Sequence, residues 1–253
     1  VMLVPNDKTI KQFYEFTNIV SVPMEYDVRP MDVIFISYDE PSAEARFKKL
    51  KEIAPRAKWI KDVQGQTEAY HAAAEASTTG YFFAVFPKLE IAEGFDFSFQ
   101  PDRLKNPCHY IFDCKNPVNG LEYGHGAVLL YNKKLTLDTK QPGLYFTLSA
   151  EHTHVPILSA INHFNETPWL TWRTAFREVL KLKQTTHKKP TVESKYRLKK
   201  WCDTGHGKNA EWSINGARDA DQYYEAYKED PDKLQLSYDW QWLKQYYEEK
   251  YVR

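Results

Sequence analysis

Apolar and polar positions alternate along the first half of the chain in blocks that predict a strand and helix series. The apolar run in MDVIFISYDEP, Met31 to Pro41, has the length of a buried strand and ends in small and acidic residues. Ser42 is placed to cap a following helix, AEARFKKLKEIA. There Ala43, Phe47, Leu50 and Ile53 recur at helical spacing, and Glu44, Lys48, Lys49, Lys51 and Glu52 form the solvated face. AKWIKDV, Ala57 to Val63, predicts a second strand, and Gly65 opens a loop into the alanine-rich helix TEAYHAAAEAS. Thr79-Gly80 ends that helix. YFFAVF, Tyr81 to Phe86, is apolar on both faces, as a central parallel strand requires. Strands alternating with helices at this spacing imply an α/β fold, a parallel sheet covered by helices.

Beyond Ile91 the pattern loosens. Short strand-like runs at Phe95 to Phe99, His109 to Cys114 and Ala127 to Tyr131 are separated by Pro, Asn and Gly, which predicts a mixed or antiparallel part of the sheet. A helix is expected over Trp169 to Leu182. QTTHKKPTVESKYRLKK has no steady apolar period and reads as a surface excursion, whereas Trp240, Leu243, Tyr246 and Tyr247 sit at helical spacing in a tail that docks on the domain. The expected organisation is an N-terminal segment (1–30), an α/β domain (31–182), and a basic loop with a helical C-terminal extension (183–253).

Composition narrows the partners. The 34 Lys and Arg balance 34 Asp and Glu, so no whole-molecule field favours nucleic acid or a membrane, and a charged partner must meet a local patch. Three cysteines without CxxC spacing suit a reducing, cytoplasmic compartment. The first ten residues include Asp7 and lack the apolar region of a signal peptide, and no window approaches the roughly twenty apolar residues of a membrane span. The sequon Asn165-Glu166-Thr167, followed by Pro168, is read as chance in such a chain. Aromatic residues make up 15%, enough to stack on carbohydrate or bases or, as composition alone favours, to fill a core.

In an open α/β sheet, ligands bind at the carboxyl ends of the strands. That rule places Ser37, Tyr38, Asp39 and Glu40 at one strand end, Asp62 and Gln66 at a second, and Phe86 to Lys88 at a third. Favourable placement of acids at a helix N-terminus explains Asp39 and Glu40 equally well. His152 and His154, two apart, meet on one side of an extended segment and form a partial metal set with no third ligand in evidence. His125 lies between Gly124 and Gly126, where backbone can approach a ligand or simply turn. Lys181, Lys183, Lys188, Lys189, Lys195, Arg197, Lys199 and Lys200 stand against Glu193 alone, a run that can track a phosphate backbone but more often marks a solvated face.

VQGQTEAYHAAAEASTTGYFFAVFPKLEI resembles the segment of GT-A glycosyltransferases, of the family-2-like group, in which a glycine turn and an alanine-rich helix lead into a strand ending in Asp-x-Asp. VIFISYDEP is similar to that family's first strand and nucleotide-binding turn. NPVNGLEYGHGAVLLYNKK and NETPWLTWRTAFREVLKL resemble proteins of tailed phages, cyanophages among them, described as glycosyltransferases. The resemblance is clearest over Asp32 to Leu182. It implies a GT-A-like, Rossmann-like mixed sheet, mostly parallel, a nucleotide-sugar donor and a hydroxyl acceptor. It also implies a host-cytoplasmic location.

Asp-x-Asp carboxylates would hold a divalent cation against the donor's phosphates, but here those positions are Phe86 and Lys88. The resemblance therefore implies either a metal-independent donor site anchored by Lys88, or a scaffold that has lost transfer and serves as a binding or virion-associated protein. Within it, Glu178 stands as the acceptor base, with an ion pair to Lys181 as the competing account, and Asp113 is a second base candidate. A third reading is DNA base modification, with nucleic acid held by the lysine run.

Overall fold

The computed structural model describes residues 30–102, 104–140, 146–186 and 189–252. The expected N-terminal segment, apart from Pro30, and Lys188 lie outside the described residues. The first half follows the expected series: β1 (Asp32–Ser37), α1 (Ala43–Ile53), β2 (Lys58–Lys61), α2 (Gln66–Ala76) and β3 (Tyr81–Val85). Then come β4 (Leu89–Ile91), β5 (His109–Lys115), β6 (Glu122–Tyr123), β7 (Leu129–Asn132), α3 (Lys133–Asp138) and β8 (His152–Asn162). The rest is helical: α4 (Pro168–Thr186), α5 (Val192–Asp203), α6 (Ala210–Tyr227), α7 (Pro231–Gln235) and α8 (Trp240–Tyr251).

The strands form one sheet in the order β2-β1-β3-β7-β5-β8-β4, with β6 paired to β5. β1 is parallel to both β2 and β3, β7 reverses, and β5 and β8 return to the direction of β1. Five of the eight described strands therefore run one way, and their carboxyl ends lie along a common edge. The α/β fold with a mixed, mostly parallel sheet, flanking helices and a helical C-terminal part is as the pattern implied.

Only Phe86, Pro87 and Lys88 join β3 to β4, although β7, β5 and β8 lie between these two strands in the hydrogen-bonding order. Three residues cannot span a flat sheet of that width at about 4.8 Å per strand, so the sheet curls and the link crosses its carboxyl edge. The ion pair between Arg46 of α1 and Glu90 of β4, at 3.1 Å, closes the curl from outside.

Burial follows the pleat. Val33 and Phe35 of β1 pack with Leu50 of α1 and Phe83, while Ile34 and Ile36 pack with Tyr70, Ala73 and Ala74 of α2 on the opposite face. A strand buried on both sides must be apolar at every position, which is why β1 and β3 read as continuous runs. A third cluster belongs to the helices: Trp172 and Phe176 of α4, Trp201 of α5, Ala217 of α6 and Tyr247 of α8. At Gly216 of α6, a Cβ would lie 2.3 Å from the carbonyl oxygen of Trp172, so the two backbones touch. Beside this crossing Asp219 accepts from Trp172 Nε1 (2.8 Å), Lys250 Nζ (2.6 Å) and Tyr251 OH (2.7 Å), tying α4, α6 and α8 together.

Three expectations are corrected. Phe95 to Phe99 is not a strand: Phe95 and Phe97 enter the core, Asp96 accepts from the Ser98 N–H at 3.0 Å, and Phe97 has a φ of 59°. Aromatic alternation there reflects a loop anchored by its rings. Ser42 does not cap α1. Its backbone is already helical (φ −82°, ψ −5°), whereas a capping hydroxyl needs an extended residue to reach the next turn's N–H groups. The lysine-rich stretch is no loop throughout: α5 occupies it, started by a reciprocal Thr191 and Ser194 capping box and held by the buried Trp201.

Candidate functional site

Parallel pairing of β1 with β2 and β3 brings the three anticipated strand ends onto one edge. Asp39, Glu40, Asp62 and Gln66 are exposed there. Glu40 accepts from the Tyr38 N–H at 2.9 Å, Gln66 donates to Tyr70 OH at 3.3 Å, and Asp62 turns out of β2 with a φ of 62°. Ser37 is buried and its hydroxyl accepts from Trp59 Nε1 at 2.8 Å, so it supports the edge from beneath.

The link carries Lys88 to the carboxyl end of β8. The Lys88 carbonyl accepts from the His163 N–H at 2.7 Å, just past β8, and a Cβ on Gly126 would stand 3.2 Å from Lys88 Nζ and 2.5 Å from Asn162 Nδ2. Gly126 has a φ of 57°, so glycine here supplies both the backbone conformation and the space. Among the described residues, Lys88 Nζ has no hydrogen bond and no carboxylate within ion-pair distance.

Its charged neighbours come from α4. Burial, then the charge of Arg173 and less strongly that of Arg177, push the Lys88 ammonium down to about 8, while Cys114 and, more weakly, Glu178 act in the opposite direction. The folded chain thus releases this proton more readily than the unfolded one. Between about pH 8 and the ordinary lysine value of 10.5 the unfolded state binds more protons and stability rises with pH; below that window the charged Lys88 is a cost to the fold. Arg173 is likewise pushed down, to about 9, by burial and by Arg177, and stays charged at neutral pH. Each guanidinium has an aromatic neighbour: Arg173 lies 4.0 Å over the ring of Trp240, and Arg177 4.9 Å over Tyr238. Neither has a hydrogen bond or carboxylate partner among the described residues, and the Nε of each is buried and unsatisfied.

Glu178 lies deeper and is fully engaged. Its carboxylate meets His125 Nδ1 (2.9 Å), Lys181 Nζ (2.5 Å) and Tyr123 OH (2.9 Å). Tyr123 OH in turn accepts from Trp201 Nε1 at 3.0 Å, and Arg197 lies 4.3 Å over the Tyr123 ring. Burial alone would raise the Glu178 carboxyl, but His125 and Lys181 outweigh it and hold it well below the usual carboxylate range. Burial lowers the His125 imidazole, against the opposing pull of Glu178. His125 Nε2 is buried without a partner, as is Asn162 Oδ1. Among the described residues, four of the eight buried, unpartnered side-chain polar atoms, those of His125, Asn162, Arg173 and Arg177, thus gather around Lys88. Native proteins leave few such atoms unsatisfied, so each calls for a partner such as an ordered water, an ion or a ligand.

The other anticipated residues lie apart from this cluster. Asp113 pairs with His154 Nε2 at 2.6 Å, and His152 Nδ1 bonds the Ala150 carbonyl oxygen at 2.9 Å. Among the described residues no group of three or more His, Cys, Asp or Glu side chains could hold a metal ion. Phe86 and Lys88 could not hold one either: Phe86 offers no ligand atom and packs near Tyr70 at 6.1 Å, and Lys88 is a cation. In the lysine run, Lys181 is spent on Glu178, and Lys183 is spent on Asp221 and Glu225, while Lys189 and Lys199 are exposed. No described helix is long and apolar enough to cross a membrane.

Fold and site together define a mixed α/β protein whose sheet edge is crossed by a link bearing a lysine, with two arginines of a helical layer near it, none of the three meeting a carboxylate among the described residues. The chain matches no known protein family and no curated protein. Among solved structures it is similar to the mannosyltransferase PcManGT from Pyrobaculum calidifontis in complex with GDP-Man and Mn2+, with a TM-score of 0.43 and 10% identity over 81% of this chain and 79% of that one.

Proposed function

We propose that the chain is a GT-A-like, glycosyltransferase-type protein that takes a nucleotide-sugar along the carboxyl edge of its sheet. Asp39, Glu40, Asp62 and Gln66 face the nucleoside, and Lys88 faces the diphosphate. One observation carries this reading: the parallel strand ends of β1, β2 and β3 share an edge on which the acids are exposed, and the lysine that follows β3 lacks a carboxylate partner among the described residues. Exposed carboxylates suit ribose and base hydrogen bonds, and an unpaired ammonium suits phosphate.

Transfer to a hydroxyl also needs a proton acceptor. Glu178, with its carboxylate engaged by three partners, fits the role of a positioning residue that orients His125 and Lys181. That engagement favours a second reading, in which the scaffold binds its ligand without transferring the sugar. Thermal-shift screening of nucleotide-sugars in EDTA and in Mn²⁺, followed by assay of donor hydrolysis, separates the two, since a ligand of the native state raises the melting temperature by mass action. A shift with turnover supports transfer, and a shift without turnover supports the binding reading. No shift and no hydrolysis across the panel would exclude both.

A further inference from the structure

We infer that Lys88, Arg173 and Arg177 together form a polyanion site that holds a diphosphate group with no metal ion. The inference rests on the nucleotide-sugar reading for the identity of its natural ligand, but not for the existence of the site.

The charges state the need. Lys181 pairs with Glu178, which leaves the positive charges of Lys88, Arg173 and Arg177 with no carboxylate partner of their own among the described residues. Like charges that depress one another and lose hydration are costly to a fold unless a ligand supplies the opposite sign. A diphosphate does so, and its oxygens can accept several charge-assisted bonds at once.

The geometry keeps the donors available. Arg173 and Arg177 are one turn apart on α4 and present the same face. A ring over a guanidinium uses its flat face, whereas the N–H donors lie in its plane. Trp240 and Tyr238 can therefore steady the two arginines without consuming the bonds an anion needs. Lys88 comes from the link between β3 and β4, where Gly126 leaves its ammonium clear. A site built from cations has no use for a divalent metal, which Lys88 would repel. It also favours higher charge: a nucleoside diphosphate carries one more negative charge than its sugar ester. The free diphosphate is thus expected to bind on the order of tenfold more tightly than the matching nucleotide-sugar.

The test is calorimetric titration of inorganic pyrophosphate, then of uridine and guanosine diphosphates and their sugar esters, into the purified chain in EDTA. Binding without metal is expected, weakened about tenfold or more in each of Lys88→Met, Arg173→Gln and Arg177→Gln, and unchanged in Lys199→Gln on the exposed side of α5. Lys88→Met removes a charge the fold pays to bury, so it should melt above the native chain, which separates lost binding from lost folding. Pyrophosphate binding that requires Mn²⁺, is absent, or is equal in all variants would overturn the site. Nucleotide-sugar binding that persists undiminished in the three variants would remove the anchor and leave the proposed function standing. Pyrophosphate binding with no response to any nucleotide or nucleotide-sugar would do the reverse.

Discussion

Replacing Glu178 by alanine is expected to destabilise the protein by about 3–5 kcal/mol, the largest effect anticipated from a single side chain at the site. The carboxylate is buried, and its removal strands the hydrogen bonds of His125 and Tyr123 and leaves Lys181 without a counter-charge. It also adds to the positive excess around Lys88, Arg173 and Arg177. Glu178→Gln keeps the shape and tests the charge alone. Because the native carboxyl is held below its ordinary value of 4.5, its stabilisation is fully present above that pH and is lost as pH falls toward the folded value. Urea unfolding from pH 6 to pH 3 should therefore show a shallower acid loss in Glu178→Gln than in the native chain. Equal slopes would mean that Glu178 is not the ionised hub described above.

Gly216→Ala is expected to cost about 2–3 kcal/mol and to lower the melting temperature by roughly 4–10 °C. Helix propensity argues the other way, since alanine is about 1 kcal/mol better than glycine inside a helix. The contact decides the sign. The added methyl would stand 2.3 Å from the Trp172 carbonyl oxygen and 3.0 Å from its Cα, both backbone atoms that cannot rotate aside. Relief requires α4 and α6 to separate, which loosens the Asp219 bonds among α4, α6 and α8. Because α4 carries Arg173 and Arg177, pyrophosphate affinity should fall together with stability. A variant that melts at or above the native temperature would show that the helices are not in backbone contact at this point.

The first half of the fold was legible because each of its elements carries one dominant period. β1 and β3 are continuously apolar because both faces are covered, and α2 is dense in alanine because it lies flat on the sheet. β8 was not foreseen. It contains Pro156, is largely exposed through its first half, and pairs with β5 through register shifts at Asp113, so neither a run nor an alternation survives. In α5, Trp201 is the sole large apolar side chain buried among charges, and its capping box uses Ser194 where glutamate or glutamine is the familiar signal.

The site divides in the same way. Lys88 could be singled out because it stands where a carboxylate was expected at a strand end. Arg173 and Arg177 could not, since basic residues one turn apart on an amphipathic helix read as its solvated face. Only the fold, which ties α4 to the β6–β7 turn through Glu178, His125 and Tyr123, brings them near Lys88 and shows that no described carboxylate meets them. Glu178 was picked out as a base with Lys181 as its competing ion partner, and the pair is present at 2.5 Å; His125 was singled out for its glycine neighbours, but its contact with Glu178, and that of Tyr123, cross from the β6 and β7 region and have no signal at helical spacing.

The most direct test is a crystal structure of the chain with a nucleoside diphosphate, grown in EDTA. The account predicts diphosphate oxygens within hydrogen-bonding distance of Lys88 Nζ and of the Arg173 and Arg177 guanidiniums, with the nucleoside running toward Asp39 and Asp62. A diphosphate bound elsewhere, or one that enters this edge only behind a divalent cation, would contradict it.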